Sequence, residues 1–66
     1  MPRKIRQLIA DLQRAGFYQV PGGKGSHRKF QHANYRGSFT LSGNSGDDAQ
    51  RYQEKQVRDA IDEARP

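Results

Sequence analysis

Ile5, Leu8, Ile9 and Leu12 recur at i, i+3, i+4 and i+7, the spacing that lines one face of an α-helix. Pro2 suits a first helical turn, Ala15 extends the stripe, and Gly16 is a natural left-handed stop just past the end. The spacing predicts a helix over residues 3–15. The period then changes. Phe17-Tyr18-Gln19-Val20 is rich in strand formers and ends at Pro21-Gly22-Gly23, a turn signal. Ser26 to His32 reads as a second strand and Ala33 to Gly37 as a turn. Residues 37–42 alternate polar and apolar, the mark of a half-buried third strand. After a loop over residues 42–46, Asp47 or Asp48 is placed to cap a helix, and Asp47 with Gln50 resembles a capping box. Val57, Ala60, Ile61 and Ala64 repeat the helical stripe, which predicts a second helix over residues 49–64.

The order α-β-β-β-α predicts an α+β fold: a three-stranded antiparallel meander with both helices on one face, in a single domain over residues 1–66. The expected core is Ile5, Leu8, Ile9, Leu12, Val20, Phe30, Phe39, Leu41, Val57 and Ile61. The other sheet face is left bare. If Phe30 points inward, alternation puts His27, Lys29 and Gln31 on that bare face.

Charge sharpens the picture. The chain has 66 residues and a formal net charge of +5. Residues 1–46 hold eight Lys and Arg against Asp11 alone, whereas residues 47–66 hold four against six carboxylates. A basic body of this kind favours a polyanionic partner, nucleic acid first. There is no cysteine, which excludes disulfides and thiolate metal sites. No apolar run approaches the roughly 20 residues of a membrane span. The basic N-terminus lacks the apolar stretch of a signal peptide. A cytoplasmic protein that does not enter a membrane is expected.

Candidate chemistry gathers at Gly22-Gly23-Lys24-Gly25-Ser26-His27-Arg28-Lys29. Cutting RNA without a metal requires a group that removes the 2′-OH proton, one that protonates the leaving 5′-oxygen, and positive charge beside the phosphorane. An imidazole serves as base or acid near neutral pH, so His27 is the leading candidate. Lys24, Arg28 and Lys29 supply cations, Gly25 lets a phosphate approach the main chain, and Ser26 donates a hydrogen bond. His32 stands at an odd offset from His27, which argues against a shared metal site or a two-histidine pair and makes it a strand-end residue. The glycine run is not a nucleotide loop: Lys24 is followed by Gly25 where Ser or Thr would be needed, and the run leads into a strand. Tyr35, beside Arg36, is the tyrosine best placed to meet RNA, and Tyr18 and Tyr52 are read as packing residues. Arg3, Lys4 and Arg6 oppose the dipole at the start of the first helix, which fits either a phosphate contact or a solvated basic end.

With Ala15-Gly16-Phe17 closing the first helix, then Gly25-Ser26-His27-Arg28-Lys29-Phe30, His32 and Gly37-Ser38-Phe39-Thr40-Leu41, the chain resembles the HicA family of bacterial toxin mRNA interferases over nearly its whole length. The resemblance implies a double-stranded-RNA-binding-like fold and a cofactor-free endoribonuclease acting on mRNA. It assigns catalysis to the histidine matching His27; the RNA and phosphate contacts expected from the residues themselves are Lys24, Gly25, Ser26, Arg28, Lys29 and Arg36. It also implies a HicB-like antitoxin that covers this surface in a hetero-oligomer; with no apolar stripe left over, the free chain is expected to be a monomer. Many members carry a proline- and histidine-rich segment after the third strand, where this chain has residues 42–48, Ser-Gly-Asn-Ser-Gly-Asp-Asp. That departure keeps two alternatives open: a non-catalytic RNA-binding module or inactive toxin homologue, and a domain whose basic face serves only an acidic protein.

Overall fold

A computed structural model describes residues 2–23 and 25–65. The elements are α1 (Ile5–Arg14), β1 (Tyr18–Val20), β2 (Arg28–His32), β3 (Tyr35–Leu41) and α2 (Arg51–Glu63). The strands form one antiparallel sheet in the order β1-β2-β3. This is the α-β-β-β-α meander that the periodicity predicts. Ile5, Leu8 and Leu12 of α1 and Val57 and Ala60 of α2 join Phe30, Phe39 and Leu41 of the sheet in one buried cluster, so both helices cover the same face.

Val20 does not take the core place expected of it, and Phe17 fills one instead. Phe17 is buried, and Val20 lies outside the core. Val20 stands opposite Lys29 in the register, and opposed residues share a face, so it points away from the helices. Phe17 instead closes α1. Its N–H donates to Leu12 O (2.9 Å) and that of Gly16 to Gln13 O (3.0 Å), a Schellman closure with Gly16 at φ +98. A Cβ on Gly16 would also stand 2.9 Å from Nε2 of His32, so the position excludes a side chain twice over. Ile9 and Ile61 pack against the rim of the core, partly buried.

The third strand starts earlier than residue 37. The turn needs only Ala33 and Asn34, and β3 begins at Tyr35. Phe30 pairs with Phe39 and His32 with Tyr35, so the single residue Gln31 faces the three residues 36–38. This bulge, with Gly37 at φ +77, absorbs the residues read as a turn.

The helix starts also differ from expectation. The N-cap of α2 is Gln50, whose N–H donates to Oε1 of Gln53 (2.8 Å). Neither aspartate caps α2. Asp47 accepts from the Asn44 N–H (3.0 Å), and Asp48 pairs with Lys4 Nζ. The loop between β3 and α2 instead caps α1: the N–H groups of Ile5 and Arg6 donate to Asp47 O (2.9 Å) and Ser45 O (3.0 Å). Gln53, the one buried polar residue among those described, donates to Ser42 O (2.8 Å). Residues 42–48, which replace the proline- and histidine-rich segment, therefore splice α1, the sheet and α2 together.

Candidate functional site

The β1–β2 turn carries His27 to the start of β2. Gly23, at φ +84, packs so closely that a Cβ there would lie 2.8 Å from the His27 carbonyl oxygen. Only glycine permits that approach. It holds the backbone of His27 against the turn while leaving the residue exposed. Among the described residues, none hydrogen-bonds to the His27 ring. β2 begins at Arg28 rather than at Ser26, so His27 stands just before the strand, and the alternation expected to place it beside Lys29 starts only one residue later.

The other candidates divide between two faces. Lys29 lies on the open face, opposite Val20 and Thr40, with its aliphatic stem across Gly22. Gly25 is exposed, and nothing stands within 4 Å of where its Cβ would be. Ser26 is half-buried in the turn, and Arg36 is exposed on the bulge of β3. Arg28 belongs to the helix-facing side. Its guanidinium donates to Gly43 O (2.8 Å), tying β2 to the loop that caps α1. Lys24 lies outside the described residues.

His32 is drawn into the fold. Its ring packs on Phe17 with centroids 4.9 Å apart. The Asn34 N–H donates to Nδ1 (2.9 Å), so Nε2 carries the proton that it gives to Ala15 O (2.9 Å). Both nitrogens are used, on the face away from His27.

The tyrosines reverse their expected parts. Tyr35 is half-buried, edge-on to Phe17 and Phe39. Desolvation raises its hydroxyl pKa above the ordinary value, with the Glu63 charge adding to the effect. Tyr18 and Tyr52 are 54% and 58% exposed. Tyr18 pairs with Gln31, whose Nε2 reaches Ser38 Oγ (3.3 Å), so a row of aromatic, amide and hydroxyl groups crosses the open face. The sequence carries a signal for this row: Phe17 inward forces Tyr18 outward.

The cations before and within α1 are largely committed to internal partners. Arg3 and Arg14 clamp Asp11, and Lys4 holds Asp48, while Arg6 stays exposed. The Arg3 hydrogen bond, assisted by Arg14, holds the Asp11 carboxyl below its ordinary pKa despite partial burial. A groove of about 480 Å³ opens between the helices over Leu8, Val57 and Ile61, and no strand residue lines it. Among the described residues, no three His, Asp or Glu side chains come together as a metal site.

The sequence profile described as the HicA toxin of bacterial toxin–antitoxin systems matches residues 5–64. The chain belongs to the HicA toxin family. It is a toxin-family protein of the kind paired with an antitoxin. The match runs from the first residue of α1 to the end of α2 and so takes in His27 and the whole sheet. No curated protein and no solved structure was found to match the chain. Among the described residues, no helix is long and apolar enough to cross a membrane.

Proposed function

We propose that this HicA-family toxin is an endoribonuclease that cuts mRNA at His27 on the open sheet face. The observation that carries the proposal is the contrast between the two histidines. His32 has both ring nitrogens bound within the fold, whereas His27 stands exposed beside an uncovered surface. His27 takes the proton from the ribose 2′-OH. The 2′-oxygen then attacks phosphorus, and the bond to the 5′-oxygen breaks. The proton returns to that oxygen, leaving a 2′,3′-cyclic phosphate and a 5′-hydroxyl. Lys29, on the same face, stabilises the charge that builds on the phosphorane. Ser26 and the open backbone at Gly25 receive a phosphate, and Arg36 and Lys24 extend the basic surface. Arg28 contributes its charge from behind the strand while holding Gly43.

A HicB-like antitoxin neutralises the protein by covering this face, the toxin being a monomer in a single domain when free. No cofactor is required, and the cytoplasm, where mRNA lies, is its place of action. The test is incubation of the purified protein with a labelled transcript, with and without EDTA. Cleavage to cyclic-phosphate ends in both conditions is expected. Loss of cleavage with EDTA overturns the metal-free mechanism, and an intact transcript bound in a salt-sensitive way favours the non-catalytic RNA-binding module.

A further inference from the structure

The open face holds more than Lys29. Tyr18 stands there half-exposed, on the edge strand, while the neighbouring Phe17 supplies the aromatic that the core requires. Its register partner is Gln31, and the next group across is the Ser38 hydroxyl, 3.3 Å from the Gln31 amide nitrogen. That contact leaves the Gln31 carbonyl oxygen and a second N–H to spare. No Asp or Glu occurs between residues 12 and 46, so the sheet and its turns carry only positive charge. An aromatic ring beside an unspent amide and hydroxyl, on strands that carry no carboxylate of their own, matches the needs of an unstacked base. The ring offers a stacking platform and the polar pair meets the base edge. Gln31 is four positions from His27, which immediately precedes β2, a separation of at most roughly 13 Å at strand spacing. A short single strand spans both.

We propose that Tyr18 stacks on a base of single-stranded RNA laid across the open face, and that Gln31 and Ser38 hydrogen-bond to the edge of that base. The site fixes where the strand lies relative to His27. The inference rests on the RNA reading above and adds to it a nucleotide-binding row that acts apart from the chemistry. It also distinguishes single-stranded RNA from a duplex, whose bases are not available for stacking on a side chain.

The experiment measures binding of a fluorescently labelled single-stranded RNA in a His27→Ala background, which prevents cleavage during titration. Tyr18→Ala is expected to weaken binding about tenfold, and Tyr18→Phe to stay within about twofold of the parent. An abasic strand of equal length is expected to bind the parent and Tyr18→Ala alike. Tyr18→Trp places the sole tryptophan of the chain at the site. Its fluorescence is expected to be quenched by the RNA and not by the abasic strand. Parent binding with an unchanged Tyr18→Ala affinity overturns this inference alone. Failure of the parent to bind RNA at low salt overturns the RNA reading and this inference with it. Retained RNA affinity combined with loss of a protein partner assigns Tyr18 to that partner and overturns the stacking role.

Discussion

Each nitrogen of the His32 ring holds a different part of the fold: Ala15 O at the end of α1, and the Asn34 N–H in the β2–β3 turn. Its face rests on Phe17. Removing it strips partners from two backbone groups and a tilted ring contact from the core edge. His32→Ala is therefore expected to cost about 2 kcal/mol, read from urea unfolding. That is a large share of the roughly 3–10 kcal/mol expected for a domain of this length. Cleavage per folded molecule is expected to stay near the parent value, because His32 faces away from the open surface. The two histidines look alike in the sequence, each beside cationic or polar neighbours. What separates them in the structure is that His32 ends β2 with both ring nitrogens bound, whereas His27 stands exposed before the strand. What was not legible was the partner of His32, since Ala15 O comes from a helix end 17 residues earlier.

At the scale of elements, the β1–β2 turn positions His27, and the segment before α1 ties that helix to the loop before α2. Gly23→Ala forces a Cβ to within 2.8 Å of the His27 carbonyl oxygen at a φ of +84. The turn must move, and His27 moves with it. Circular dichroism is expected to show the fold retained, with stability lowered by about 1 kcal/mol or more, while RNA cleavage falls at least about tenfold. The segment before α1 depends on Asp11, held by Arg3 and Arg14. A carboxyl whose pKa is lowered on folding adds stability above its unfolded value. That contribution is lost as pH falls through the lower folded value. Asp11→Asn is expected to cost up to about 1 kcal/mol at neutral pH, and to flatten the loss of stability below about pH 4 in acid titrations of the melting temperature. The helices and the strand order were readable because their stripes have clear periods. The parity of β1 was misread because Val20 is the better strand former, whereas Phe17 is needed to close α1 over Leu12. The helix caps were misread for a related reason. Asp47 and Asp48 have capping chemistry, yet the loop spends its carbonyls on α1 and leaves Gln50 and Gln53 to start α2.

Over the whole molecule, charge and burial separate in the same direction. Every carboxylate lies in α1, in α2 or in the loop before α2, and none in the sheet or its turns. Both helices cover one sheet face, so the uncovered face and the purely cationic segment coincide. Lys29 and Tyr18 lie on that face, and exposed His27 immediately precedes the strand that carries Lys29. The membership of the chain in the HicA toxin family agrees with a surface kept open for something other than packing. The loop over residues 42–48 closes the fold from behind, joining α1, the sheet and α2. The face is thus the part of the molecule that folding does not need. The central claim is that His27 does the chemistry there. The most direct measurement is the cleavage rate of a labelled transcript by His27→Ala, purified and shown by circular dichroism to be folded. The predicted result is a fall of roughly 10²- to 10⁴-fold with RNA affinity retained. A folded His27→Ala protein that cuts RNA at the wild-type rate would contradict it.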